Sequence, residues 1–352
     1  MKSVARMELI PGMELGEDII DRNGKILYHA GHQLQQKDID RLAVSKILVV
    51  TIKEDEDLVD THYEKVLVSS GFRAFSQAYA ETLPQFINIL DRFAIDPTDF
   101  QVRDLFACYI KLTSCVKDGK TLLDYLYHLV PAEETLIYSH MLNSGLIAGV
   151  FATWLGLSKE DAFLLVQCAC LYDIGKLKLP REIIFKPGKL TDLEYATIKT
   201  HTMLGFTLLQ DAGLDPHIAK TALMHHERCD GTGYPSKLRD QQIDPFAKYI
   251  AIIDSYAAMS SPRSYRQSLN PFEVIDNFER DGFLHYDITA LNHILFHIAS
   301  SQTGLGIRLS DGTEGTIVLI NSEKLSRPYI RYESGEMLDL SLRPDLKIVS
   351  IF

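Results

Sequence analysis

The sequence predicts a mainly α protein: a helical bundle with a small α/β module before it and a small β appendage after it. Three observations carry that prediction. Apolar residues recur by threes and fours from about Tyr63 to Ser300, the spacing of one buried helix face. An Asn23-Gly24 pair sits between two apolar stretches near the N-terminus, a strong hairpin signal. From Gly304 onward short apolar runs alternate with tight turns, as strands do.

In chain order, Ile19–Tyr28 reads as the hairpin, Gln36–Leu42 as a short helix and Lys46–Thr51 as a strand. The acidic run Lys53-Glu54-Asp55-Glu56-Asp57 then marks a solvated boundary. Helices are expected over Phe75–Phe93, Phe100–Val116, Glu133–Leu155, Ser158–Tyr172, Thr191–Ala212, Pro216–His226, Asp244–Ser260, Pro271–Arg280 and Asp287–Ala299. Thr98 or Asp99 offers an N-cap for the second, Ser158 for the fourth, and Thr191 with Glu194 forms a capping box for the fifth. Strands follow at Ile307–Gly312, Gly315–Ile320, Tyr329–Tyr332 and Lys347–Phe352. The expected division is 1–60, a connector at 61–130, the main helical domain at 131–300, and 301–352.

Composition narrows the function. A formal charge of −11 argues against a nucleic-acid polymer or an anionic membrane as partner, while a local basic cluster could still take a small anion. No apolar run is expected to reach the roughly 18 to 20 residues of a membrane span, and the N-terminus lacks the apolar core of a signal peptide. A cytoplasmic protein is expected. Five cysteines show neither a disulfide-like nor a zinc-like spacing, and Cys168 and Cys170 fall in an apolar run where buried thiols are common.

The chemistry is carried by His140, Asp173, His201, His225, His226 and Asp254, spread over successive helices. A lone buried histidine is ordinarily a satisfied core residue. The adjacent pair His225-His226 is not ordinary, because neighbours on a helix point about 100° apart and one face cannot bury both without a reason. Two metals, or one metal and a substrate phosphate, would supply it. The following run, Glu227-Arg228-Cys229-Asp230-Gly231-Thr232-Gly233-Tyr234-Pro235, packs two glycines, an Asp and a Pro into one tight loop beside the pair.

That run resembles the signature of the HD-GYP family, a branch of the HD phosphohydrolases that degrade cyclic di-GMP. Asp173-Ile174-Gly175-Lys176 with Leu179-Pro180, Lys186-Pro187-Gly188-Lys189-Leu190-Thr191, Ile198-Lys199-Thr200-His201, Ile252-Ile253-Asp254 and Arg263-Ser264-Tyr265-Arg266 agree in the same order, over roughly Leu136–Ala299. The resemblance implies a helical HD-type bundle and a phosphoric diester hydrolase that cuts cyclic di-GMP to pGpG or GMP. Its metal ligands would be His140, Asp173, His201, His225, His226 and Asp254. Imidazole and carboxylate without thiolate suit Fe or Mn, the family's common metals, as well as Zn or Ni. Asp173 would bridge two ions and Lys176 would steady the phosphoryl charge. Lys186, Arg228, Tyr234, Arg263 and Arg266 would hold the ligand, Arg263 and Arg266 through planar guanidinium groups, with Lys189 adding local positive charge.

Three positions depart from the family pattern. Tyr172 stands where the family has the histidine of its His-Asp pair, and a phenol must lose its proton before it ligates well. Leu136 stands where some members place a further glutamate, and Ala257 where a second aspartate is usual. One or two ions are therefore expected rather than three. Two functions follow: a cyclic di-GMP phosphodiesterase of impaired activity, or a binding module that kept the pocket without turnover and signals through diguanylate cyclases. The helical stretch Tyr63–Val116 offers a face for a homodimer as well as for packing within the chain.

Overall fold

The computed structural model describes residues 1–21, 24–53, 61–262 and 268–352. The chain divides into two compact units, Met1–Phe72 with Phe352, and Arg73–Ile351. Most of the connector, the main helical domain and the appendage therefore lie in the second unit.

In the first unit, β1 (Lys2–Ala5) pairs antiparallel with β4 (Val49–Ile52), and β2 (Ile19–Ile20) with β3 (Ile26–Tyr28). The strand β1 went unread because its partner lies far along the chain. Turn residues Arg22 and Asn23 lie outside the described residues, as does most of the acidic run. Helix α1 (Gln36–Val44) starts on a capping box between Gln35 and Asp38. Leu15, Leu34, Leu42, Val50 and Ile52 form the core. A short helix, α2 (His62–Val68), follows.

The second unit begins within α3 (Ser70–Ile95) and continues through α4 (Val102–Thr113) and α5 (Gly119–His128). The N-cap position of α4 is Gln101, not the expected Thr98 or Asp99. Asp96 instead accepts from the Thr98 amide and caps a 3-10 turn over Pro97–Asp99, so the helix starts only at Val102. The centre is α6 (Leu136–Trp154), packed by α4, α5, α7 (Lys159–Leu171), α12 (Pro245–Ser260) and α14 (Ile288–Ser300). Helix α6 is apolar nearly all round, as an interior helix must be. By length and composition Glu133–Trp154 could cross a membrane, contrary to the expectation from sequence. Of its apolar window, 67 % is buried inside the unit, where Ser139, Asn143 and Ser144 are tolerated among the apolar side chains. Gly145 lets α7 come close, since a Cβ there would meet Cys170 Sγ.

Beyond α8 (Arg181–Ile184), the helix expected over Thr191–Ala212 is two: α9 (Asp192–Lys199) and α10 (His201–Asp211), joined at Thr200. The Thr191–Glu194 capping box starts α9 as expected. Then come α11 (Pro216–Met224) and α13 (Pro271–Asp281). The C-terminal residues form one antiparallel sheet in the order β8-β7-β6-β5-β9, from β5 (Gly306–Leu309), β6 (Glu314–Leu319), β7 (Tyr329–Arg331), β8 (Met337–Asp339) and β9 (Ile348–Ile351). It is tied to α13, where Glu279 accepts from Ser326 Oγ at 2.5 Å.

Candidate metal centre

Six elements meet at one point. His140 comes from α6 and Asp254 from α12. Tyr172 caps the C-terminus of α7, and Asp173 opens the 3-10 turn Ile174–Lys178 that follows. His201 is the first residue of α10. His225 and His226 lie just past the last residue of α11 rather than on its face, which is how both imidazoles reach one centre. Glycine allows the close approach. A Cβ on Gly175 would lie 2.0 Å from His201 O and 2.6 Å from Gly205 N, so the turn carrying Asp173 rests directly on the start of α10. The break at Thr200 sets His201 there, with Nδ1 on Ile198 O at 2.6 Å.

That contact fixes a tautomer. A carbonyl oxygen only accepts, so Nδ1 carries the proton and Nε2 presents a lone pair. His225 is held the same way, its Nδ1 donating to Ala222 O at 3.0 Å and Thr221 O at 3.2 Å. The two free Nε2 atoms face each other at 3.3 Å. Asp173 Oδ1 lies 3.4 Å from one and 3.6 Å from the other, buried and without a hydrogen-bond partner. Three buried lone pairs thus converge with no proton among them. Such an arrangement is repulsive alone and is what a cation relieves, so these residues fit a metal ion. The His226 ring completes the group, 4.1 Å from the His225 ring, and all four ligand atoms are close enough for one ion.

His140, Asp173 and Asp254 form a second such group sharing Asp173. Here protons intervene. Asp254 Oδ1 accepts from His140 Nε2 at 2.8 Å and from the Tyr172 hydroxyl at 2.9 Å. Tyr172, expected to be a weakened ligand, is a hydrogen-bond donor. Its hydroxyl also meets Ser144 Oγ at 3.2 Å.

The electrostatics suit a cation. Burial pushes His201 down to about 4, and burial with the neighbouring His225 holds His226 well below its ordinary value, so both imidazoles stay neutral. Burial pushes Asp173 up, but Lys176, His225 and His201 together outweigh it and keep the carboxyl ionised. Burial likewise opposes Asp254, and the His140 hydrogen bond overcomes it. Burial, then the charges of Asp254 and Asp173, push the Tyr172 phenol well above its ordinary value.

A cleft of about 320 Å³ opens on this centre, lined by His140, Asp173, Lys176 and Asp254 and walled by Leu136 and Ala257, two of the departing positions. Lys176 Nζ lies 2.5 Å from Asp173 Oδ2. Tyr234 stacks on His226 with centroids 4.7 Å apart, and the Lys199 ammonium lies 5.7 Å from its ring centre. Lys186 does not supply loose positive charge, because both Glu194 oxygens hold its ammonium at 2.7 Å. Lys189 and Arg228 are exposed, while Arg263 and Arg266 lie outside the described residues. All five cysteines are free, Cys168 and Cys170 in the core.

Two contributors went unread. Ser144 follows His140 by one helical turn, a spacing that puts both on one face and was visible. Glu227 is buried to 3 % exposure and accepts from the Ser236 and Leu238 amides at 2.6 and 2.9 Å, pinning the loop that carries Tyr234. Gly233 completes that loop, since a Cβ there would lie 2.5 Å from the backbone of His226, Glu227 and Arg228.

Residues 124–290 match the HD domain family. A cyclic di-GMP phosphodiesterase of Pseudomonas aeruginosa is 34 % identical over 46 % of this chain and 39 % of its own length. The cyclic di-GMP phosphodiesterase response regulator RpfG of Xanthomonas campestris is 38 % identical over 35 % of this chain and 33 % of its own. The 3'3'-cGAMP-specific phosphodiesterase 1 of Vibrio cholerae is 35 % identical over 42 % of this chain and 35 % of its own. The chain thus spans little more than a third of the length of these relatives. A solved structure, Bd1817, a HDG"Y"P protein from Bdellovibrio bacteriovorus, overlaps 84 % of this chain and 98 % of its own at a TM-score of 0.46 and 17 % identity. The central domain of this chain is an HD domain and belongs to the HD-GYP family.

Proposed function

We propose that this domain is a metal-dependent phosphodiesterase that opens cyclic di-GMP to pGpG or GMP, acting in the cytoplasm with Fe or Mn bound. The observation that carries the reading is the convergence of Asp173 Oδ1 with the Nε2 atoms of His201 and His225, three unprotonated donors beside an open cleft. Asp173, His201, His225 and His226 would hold one ion, and His140, Asp173 and Asp254 are the set for another. A bound divalent ion supplies a water of lowered pKa and neutralises phosphodiester oxygens.

The chain's own groups do the rest. Lys176 keeps Asp173 ionised and lines the cleft, so its ammonium meets a phosphoryl oxygen entering there. Tyr234, stacked on His226, extends a ring platform on which a guanine base can lie. Arg228, Arg263 and Arg266 are the candidates for phosphate and guanine contacts, with Lys186 contributing only where Glu194 releases it. The relatives named for cyclic di-GMP or 3'3'-cGAMP support a cyclic dinucleotide as the substrate class.

A second reading is a binding module that keeps the pocket without turnover and signals to diguanylate cyclases, alone or as a homodimer. It is favoured by the hydrogen bond from Tyr172, which supplies a proton where a ligand would supply a lone pair. One experiment separates the two. The full chain, purified without oxygen and loaded with iron or manganese, is incubated with cyclic di-GMP and the products are resolved by chromatography. Turnover that disappears when His225 and His226 are both replaced by alanine supports the enzyme. Tight binding without product, with turnover restored in Tyr172→His, overturns it in favour of the binding module.

A further inference from the structure

The donors around Asp173 are not equivalent on its two sides. Toward His201 and His225 the atoms face one another as bare lone pairs, 3.3 to 3.6 Å apart. Toward His140 and Asp254, two N–H and O–H groups converge on the single oxygen Asp254 Oδ1, at 2.8 and 2.9 Å. Tyr172 has no room to turn away. It is fully buried, its ring edge-on to His225 at 4.9 Å and to His140 at 6.1 Å, and its hydroxyl is also met by Ser144 Oγ at 3.2 Å.

We propose that Tyr172 is a positioning residue that latches Asp254 and makes the centre asymmetric, with one tight ion site at Asp173, His201, His225 and His226 and a weak one at His140, Asp173 and Asp254. This deepens the metal-centre reading and rests on it. An oxygen that already accepts two hydrogen bonds has little lone-pair density left for an ion. The weak set then has only Asp173, shared with the other site, the second oxygen of Asp254, and an imidazole that must first give up its bond to Asp254. The strong set has four donors, two of them pre-oriented by backbone carbonyls. An imidazole at position 172 reverses this, since it can offer a lone pair where the phenol offers a proton.

The test titrates Mn(II) alone into the metal-free full chain by calorimetry and records the paramagnetic resonance spectrum at each ratio. The native chain takes one tight equivalent with an uncoupled spectrum, and a second binds about 10-fold or more weakly. Tyr172→His raises the tight stoichiometry to two, with the spectrum of an exchange-coupled pair. Tyr172→Phe, which keeps the ring and its packing but removes the latch, strengthens the second equivalent and leaves the first unchanged. A native chain with two equally tight, coupled ions overturns the proposal, as does a Tyr172→Phe variant whose second equivalent is no tighter. His225→Ala separates the two levels. If it keeps the tight equivalent, the metal-centre reading itself fails, whatever the Tyr172 variants do.

Discussion

The Tyr172 hydroxyl donates to Asp254 Oδ1 at 2.9 Å between the C-terminus of α7 and α12, the tyrosine fully buried and the aspartate lining the cleft. Removing the oxygen alone takes a donor from a carboxylate and leaves Ser144 Oγ without this partner. Tyr172→Phe should therefore lower the stability of the metal-free chain by about 1 to 2 kcal/mol, read from urea unfolding. An unchanged midpoint and slope would mean the hydroxyl contributes nothing in the folded state.

The buried histidines make the metal-free protein acid-sensitive. His201 falls from an ordinary 6.5 to about 4 through burial, and His226 is depressed in the same direction. Between pH 6.5 and 4 the unfolded chain binds a proton that the folded His201 refuses. Stability is thus complete above about pH 6.5 and is lost as pH falls, by up to about 1.4 kcal/mol per pH unit for this one group. Unfolding midpoints from pH 7.5 to 4.5 should decline accordingly, and less steeply in a His201→Gln variant. A flat native profile would contradict the burial of His201.

Gly175 tests the approach of the Asp173 turn to α10. A methyl group there meets backbone atoms, His201 O at 2.0 Å and Gly205 N at 2.6 Å, and neither can swing aside as a side chain could. Gly175→Ala should cost about 3 kcal/mol or more, with loss of metal binding. Gly188→Ala is the control for alanine itself, because nothing lies within 4 Å of its Cβ, although its positive φ adds a small strain. Equal losses in the two variants would remove the steric account.

The residue types at the centre were legible because histidine and aspartate are the donors such chemistry needs, and their motifs stand in a recognisable order. Their placement was less so. Apolar spacing runs unbroken through Thr191–Ala212, with no proline and with its one glycine, Gly205, lying well past Thr200, so nothing local announces the break at Thr200 that sets His201. Whether Tyr172 gives or takes a proton depends on Asp254 and Ser144, which come from two other helices and only meet it in the fold. Lys186 looked like free positive charge because Glu194 had already been assigned to a capping box. Its carboxylate serves both, accepting from the Thr191 amide at 2.8 Å and from the lysine at 2.7 Å.

Glu227 gives the last prediction, about the loop rather than the ions. Its two oxygens each accept one backbone amide, from Ser236 and Leu238, and its side chain is almost wholly buried. Glutamine matches the shape but offers one acceptor. Its NH₂ would face an amide N–H, leaving two donors opposed in a buried site. Glu227→Gln should thus destabilise the chain by about 1 to 3 kcal/mol. The loop also carries Tyr234, whose amide donates to His226 O at 3.1 Å and whose ring stacks on that histidine. Loosening it should reduce cyclic di-GMP affinity while manganese affinity at His201 and His225 stays within a few-fold of native, both measured by calorimetry. Equal loss of nucleotide and metal binding would place Glu227 in the support of the ions instead.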